Sequence, residues 1–259
     1  MPERGLGATL ARYYDLDLLD DPGDLALYEA LARRSGGPIL ELGAGSGRLA
    51  VPLARLGYAV TAVDRDSNML ARARDAWQQK AGGESSDLEL LEADMLQLDL
   101  PGRFGLVILA LNTLLLLADR ASQRAALETM ARHLAPDGIA VVDVWLPAVS
   151  DLALYDGRLQ LEWQRDDPET GERVAKVASA QHDAATATVT LSQSFDAWPP
   201  DGGPLRRTSR VDVLRLVGVD ELVGLATAAG LEVERLAGDH QMTAFGPGAE
   251  RTVLLARLV

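Results

Sequence analysis

Residues 39–50, Ile39-Leu40-Glu41-Leu42-Gly43-Ala44-Gly45-Ser46-Gly47-Arg48-Leu49-Ala50, restrict the fold more than any other stretch of the chain. A short apolar run leads into three alternating glycines. Leu49, Leu53 and Leu56 then recur at spacings of four and three, the period of a helix face. The segment reads as strand, glycine turn, helix. Glycine's missing side chain lets a ligand approach the backbone, and a helix N-terminus offers free N–H groups to anything negative. Seventeen residues after Gly47, Asp64 closes a second apolar run, Ala59-Val60-Thr61-Ala62-Val63. An acid at the end of the second strand of a βαβ unit is placed to accept hydrogen bonds from a ribose diol.

Two cofactor classes use this geometry. Dinucleotides want G-x-G-x-x-G, with a pyrophosphate on the helix N-terminus. Here the third glycine falls one residue early, and Glu41 stands two positions before the first. A carboxylate there sits awkwardly beside a pyrophosphate but suits a cofactor with a cationic amino-acid end. That combination points to S-adenosylmethionine. A nicotinamide oxidoreductase and a non-catalytic S-adenosylmethionine-binding protein are the alternatives.

Strands are expected at 38–43, 58–64, 88–92, 104–111 and 138–145, with helices near 47–56, 67–80 and 119–134. This alternation implies a parallel sheet covered by helices on both faces, with ligands at the carboxyl ends of its strands. Glu41, Asp64, Asp94 and Asn112 all fall at those ends. Residues 1–37 read as an N-terminal helical cap. After Leu146-Pro147 the period changes to two. Stretches 158–164, 172–182, 188–195 and 207–217 form an antiparallel insert spanning 150–217, broken by turns at 166–171 and 199–204. The core, 38–149, resumes at 218–259. There Asp220 is expected to cap a helix that Gly230 ends, and strands 231–237 and 251–258 form a final pair.

Across 259 residues, 47% hydrophobic and 24% charged is ordinary for a globular enzyme. No apolar run approaches the ~20 residues of a membrane helix, and no basic-then-apolar leader pattern is seen, so a cytoplasmic location without membrane contact is expected. Without cysteine, thiolate catalysis and Cys-based zinc sites are excluded; His133, His182 and His240 are far apart, so no metal site is expected. The net charge of −13 repels nucleic acid.

Four stretches in order carry a resemblance: Leu40-Glu41-Leu42-Gly43-Ala44-Gly45-Ser46-Gly47, Val63-Asp64-Arg65-Asp66-Ser67-Asn68-Met69-Leu70, Glu92-Ala93-Asp94-Met95, and Leu134-Ala135-Pro136-Asp137-Gly138. Residues 38–145 are similar to the core of class I S-adenosylmethionine-dependent methyltransferases. At lower specificity the whole chain resembles the glycine, sarcosine and amino-sugar N-methyltransferases. The resemblance implies an α/β fold: a doubly wound, Rossmann-like seven-stranded sheet whose last strand is antiparallel, plus a small antiparallel β insert that recognises substrate. Its outer edges leave room for a homodimer.

The resemblance assigns cofactor contacts to Gly43, Ala44, Gly45 and Gly47 of the turn and to Arg65. Glu41 is expected at the cofactor's amino group, Asp64 at the ribose hydroxyls and Asp94 at the adenine amine. Met95 and Met69 are expected on the adenine faces, although a methionine at a helix start is as readily core. Leu111 and Asn112 fall near the methionine moiety; the plainer reading of Asn112 is that it satisfies backbone groups. Tyr14, beside Tyr13, is expected to cover the sulfonium. Catalytic candidates are Tyr14, Trp145, which follows the fifth strand, and His240. His240 is either a base or simply an exposed loop histidine. Leu114-Leu115-Leu116-Leu117 carries no histidine, so the base that many relatives hold there is missing and an amine substrate is favoured. The expected activity is metal-independent methyl transfer to a nitrogen or oxygen of a small molecule, with positioning dominant.

Overall fold

A computed structural model describes residues 6–81 and 87–259. The first five residues of the segment expected to be helical lie outside them. Among the described residues no helix is long and apolar enough to cross a membrane. The chain forms two compact units, one of 1–20 with 147–216 and a larger one of 21–146 with 217–259.

In chain order, α1 (Leu6–Asp17) belongs to the smaller unit. The larger unit begins with α2 (Leu25–Ser35), β1 (Ile39–Leu42), α3 (Ala50–Arg55), β2 (Val60–Asp64), α4 (Ser67–Ala81), β3 (Leu88–Glu92) and β4 (Phe104–Leu109). A 3-10 turn (Thr113–Leu116), α5 (Arg120–His133) and β5 (Leu134–Trp145) follow. The chain then supplies α6 (Val149–Leu154), β6 (Gln160–Asp166), β7 (Arg173–Asp183), β8 (Thr188–Trp198) and β9 (Arg206–Arg215) to the smaller unit. It closes the larger one with α7 (Val219–Ala228), β10 (Leu231–Ala237) and β11 (Arg251–Leu258).

The seven-stranded sheet runs β10-β11-β5-β4-β1-β2-β3. Strands β1 to β5 pair in parallel, while β11 is antiparallel to both β5 and β10. The final strand is therefore the antiparallel one, as expected. β1 and β4 lie at the centre and are buried at every position, which explains why they read as unbroken apolar runs rather than as alternation. Strand order reverses between them, and such a reversal opens a crevice at the carboxyl ends. Leu27, Tyr28 and Leu31 of α2 and Leu49 and Leu53 pack with Ile39, Ile108, Val141 and Val253 into one core cluster. Each fully buried leucine contributes about 1.5–3 kcal/mol.

Two helix starts differ from expectation. The helix after the glycine turn begins at Ala50, not 47, because Gly47 is left-handed (φ +81°) and cannot join it. Gly218 rather than Asp220 stands at the N-cap of α7; Asp220 and Glu221 lie in its first turn, where they complement the helix dipole.

The smaller unit is an antiparallel sheet ordered β6-β7-β8-β9. Helix α1 packs on it through Tyr13 and Leu16 against Val174, Phe195 and Ala197, with the Tyr13 and Phe195 rings stacked at 4.9 Å. Trp163 Nε1 donates to Asp17 at 2.7 Å, and Lys176 binds the same carboxylate at 2.8 Å.

Candidate active site

The glycine turn is held from below. The Gly43 and Ala44 amides both donate to the Val63 carbonyl, at 2.8 and 3.0 Å. Gly43, Gly45 and Gly47 all have positive φ. A Cβ on Gly43 would fall 2.5 Å from Thr113 Cγ2, and one on Gly47 would fall 2.9 Å from Val51 and Ala73. Conformation and close packing therefore both demand glycine there. Met95 Cε lies 3.4 Å from that same Gly43 position, so the turn, Met95 and Thr113 converge.

Asp64 ends β2, and its carboxylate ties the turn to the strand. Oδ2 accepts from the Gly45 amide at 2.8 Å, and Oδ1 from the Asp66 amide at 2.9 Å. Capping at the start of α4 is done by Asp66, whose Oδ1 accepts from the Asn68 amide at 2.9 Å. Each Asp64 oxygen accepts one of these bonds and retains a further lone pair. Met69 is half-buried in the first turn of α4, while Arg65 is exposed. Asp94 is exposed beyond β3 and is turned into its own loop, accepting from the Leu96 amide at 2.9 Å and from Gln97 Nε2 at 3.3 Å.

Glu41 is the unusual group. It is only 4% exposed, and its Oε2 has no hydrogen-bond partner among the described residues. Burial pushes its carboxyl up to about 8, despite the opposing pull of the Arg48 guanidinium and of the Ala50 amide. A buried carboxyl with one unused oxygen, beside a glycine cradle and a ribose-competent acid, fits a cofactor with an ammonium end and a nucleoside.

The β4 exit is strained. Leu111 and Asn112 are both left-handed, with φ of 45° and 67°, a conformation that costs a bulky residue such as leucine on the order of 1–2 kcal/mol. The loop is pinned onto β5. The Asn112 amide donates to the Asp143 carbonyl at 3.1 Å, and Asn112 Oδ1 accepts from the Trp145 amide at 2.6 Å. The Asn112 side-chain oxygen thus satisfies backbone, the plainer of its two expected roles.

His240 corrects an expectation. It is not an exposed loop histidine: its side chain is 8% exposed, and Nε2 lies 3.1 Å from Asp143 Oδ2. Arg251 holds Asp143 Oδ1. Asp143 is fully buried; burial would raise its carboxyl, but the hydrogen bond from His240 and the charge of Arg251 outweigh it and hold the group below the usual range. Close by, an Asp24 carboxylate oxygen lies within 4.8 Å of the His240–Asp143 pair. Asp24 binds Arg48 through both oxygens, at 2.5 and 2.8 Å. Two guanidiniums therefore match the two acids. The Tyr28 hydroxyl, also buried, has no hydrogen-bond partner among the described residues.

Asp143, Asp24, Tyr28 and Thr113 were not among the expected site residues. Asp143 did leave a signal, as a lone acid in the apolar run 139–145. Trp145 is half-buried at the end of β5, two residues beyond Asp143 and opposite Arg251 in register, so the three share a face. Tyr14 is half-buried on α1 within the smaller unit.

Comparison with known proteins adds five matches. The family profile described as Methyltransferase domain matches residues 39–138. A cypemycin N-terminal methyltransferase from Streptomyces sp is 30% identical over 193 residues, 71% of this chain and 75% of that protein. A dTDP-3-amino-3,6-dideoxy-alpha-D-glucopyranose N,N-dimethyltransferase from Streptomyces fradiae is 30% identical over 154 residues, 56% of each chain. The match spans only 44% of a further curated methyltransferase, from Geobacillus sp.. Among solved structures, the CcbJ methyltransferase from Streptomyces caelestis is 28% identical and superposes with a TM-score of 0.73, over 94% of this chain and 95% of that one.

Proposed function

Because this chain belongs to the class I S-adenosylmethionine-dependent methyltransferases, we propose that it methylates an amine nitrogen of a small molecule without the help of a metal. The observation that carries this reading is the unpartnered, buried Oε2 of Glu41 beneath the glycine turn. When bound, the cofactor supplies a methyl group activated by a sulfonium that leaves as a neutral thioether.

The chain's own residues then bind and orient. Glu41 accepts from the cofactor's ammonium. The carboxylate of Asp64 receives the ribose hydroxyls while keeping the Gly45 amide. The turn from Gly43 to Gly47 lines the approach, with Gly43 and Gly47 left-handed and Ala44 small so that the cofactor can come close to the backbone. Met69 and Met95 cover the adenine, and Asp94 receives its amine after its loop contacts exchange. Arg65 stands at the exposed rim. Leu111 and Asn112 fix the β4 exit near the reacting methyl, which explains why backbone strain is tolerated there.

Nitrogen is favoured over oxygen on two grounds. Two relatives are named for N-methylation, one at a peptide N-terminus and one on an amino sugar. The net charge of −13 also attracts cationic amines and repels nucleic acid. The test is transfer of labelled methyl from S-adenosylmethionine to matched amines and alcohols, with and without a chelator. Labelled amines in the presence of chelator support the reading. Labelling of alcohols alone, or loss of turnover with chelator, refutes it.

A further inference from the structure

We infer that His240, oriented by Asp143, accepts the proton that a cationic amine must lose before its nitrogen can attack, so that the substrate class is a primary or secondary ammonium. This rests on the nitrogen reading proposed above and adds to it the group that makes the nucleophile.

The need is quantitative. Amines with pKa from about 7.7 to 10.4 are neutral at pH 7 in a fraction from roughly one in six to below one in a thousand. An ammonium has no lone pair to donate. A site that binds it must also take its proton.

The geometry sets the tautomer. Asp143 is an ionised acceptor whose other oxygen is taken by Arg251, so His240 Nε2 carries the hydrogen it donates to Oδ2 at 3.1 Å. The lone pair then resides on Nδ1. That atom has no partner among the described residues and is not among the buried polar atoms sealed without one. His133 shows the contrast. Its Nε2 accepts from the Leu100 amide at 2.9 Å and its Nδ1 meets the Thr129 carbonyl at 2.8 Å, so both nitrogens are used in structure.

The loop carrying His240 is well tied. The Gly238 amide donates to the Thr243 carbonyl at 2.8 Å, and the Thr243 amide to Asp239 Oδ1 at 2.9 Å. β10 runs parallel to β5, so the loop leaves at the same sheet edge as Glu41, Asp64 and Asn112. Asp143 also links the pair to the strained β4 exit, through its carbonyl and the Asn112 amide. The charged and titratable groups around the imidazole are Asp143 of β5, Arg251 of β11, Asp239 of the loop, Asp24 and Tyr28 at α2, and Arg48 beside Asp24. Arg48 pairs with Asp24, and Arg251 with Asp143.

The step balances. The ammonium N–H bond breaks and its proton passes to His240 Nδ1. The freed lone pair forms the N–C bond to the methyl carbon, while the C–S bond breaks and its electron pair stays on sulfur. Positive charge ends on the imidazolium, which returns its proton to solvent, and on the methylated nitrogen.

The test has two arms, both on the full chain. The first is NMR of 15N-histidine-labelled protein, which has three histidines. His240 is expected as the Nε2–H tautomer with its lone pair on Nδ1. An Nδ1–H tautomer overturns the inference. The second arm compares wild type with H240Q and H240N, whose amides can still donate to Asp143 but cannot take a proton. The probes are glucosamine, an alanine-terminated peptide and a dTDP-amino sugar, across a pH series. At pH 7 the variants should lose about 10²- to 10⁴-fold in kcat, with S-adenosylhomocysteine affinity unchanged. The deficit should narrow as pH passes the amine's own pKa. A full rate in either folded variant, or a deficit that ignores pH, overturns the inference and leaves the nitrogen reading standing. A wild type that binds S-adenosylhomocysteine yet methylates no probe overturns the nitrogen reading, and this inference with it.

Discussion

The Asp64 carboxylate accepts the amide hydrogen of Gly45 at 2.8 Å, so the acid at the end of one strand fixes the glycine turn that follows another. Two elements of the candidate cofactor site are thus one mechanical piece. Asp64→Ala should lose both the turn's anchor, worth about 1.5–3 kcal/mol for a charged acceptor, and the ribose contact. S-adenosylhomocysteine affinity should fall by at least about tenfold. Asp64→Asn keeps one acceptor and should lie between. Calorimetry on the three proteins checks the order, and unchanged affinity in Asp64→Ala would remove the assigned site.

Glu41 should couple cofactor binding to proton release. Its carboxyl, pushed up to about 8 by burial, is mostly protonated at pH 7. An ammonium beside it favours ionisation, so binding should release close to one proton there. Calorimetry in buffers of different ionisation enthalpy reads this number, and Glu41→Gln should abolish that contribution. Stability moves with the same group. A raised folded value means that stability is fullest below the carboxyl's ordinary value of 4.5, falls as pH rises, and levels off above about 8. Glu41→Gln should flatten that slope in denaturant titrations.

Asp143 should behave with the opposite sign. Its carboxyl is held low in the folded protein, so its stabilisation is present above the unfolded value and is lost as pH falls. Asp143→Asn leaves the Arg251 guanidinium without its anion and should cost about 3–5 kcal/mol. Arg251→Met with Asp143→Asn should recover part of that loss, measured by a double-mutant cycle in urea.

Gly43→Ala should be destabilising for two separable reasons. Its left-handed backbone costs an L-residue about 1–2 kcal/mol, and its new Cβ would fall 2.5 Å from Thr113 Cγ2. Thr113→Ser removes that methyl yet keeps the hydroxyl bond to the Ala110 carbonyl, 2.7 Å long. The double variant should therefore regain the steric share only. Full additivity of the two changes would show that the contact carries no energy.

What could be read beforehand was local or periodic. The final strand pair, 231–237 and 251–258, follows from alternation and from the Gly230 stop, and both strands lie at those bounds. The glycine turn, Glu41 and Asp64 share one 26-residue stretch whose spacing is itself the signal. Tertiary pairings left no such mark. Asp143 and His240 stand 97 positions apart, and a histidine in a Gly-Asp-His loop looks exposed until the fold brings an acid beneath it. Leu111 offers no hint of a left-handed backbone, because strain imposed by packing contradicts local preference. The start of α3 was misplaced for the converse reason: Gly47 looked like part of a helical pattern while its conformation was reserved for the turn.

The most direct measurement is calorimetric titration of the purified protein with S-adenosylmethionine and S-adenosylhomocysteine, with NADH and NADPH alongside. Micromolar binding of both sulfur nucleotides, lost in Asp64→Ala and absent for the nicotinamides, is the predicted result. Failure to bind either sulfur nucleotide, or a preference for a nicotinamide, would contradict the assignment of the glycine turn, Glu41 and Asp64 to this cofactor.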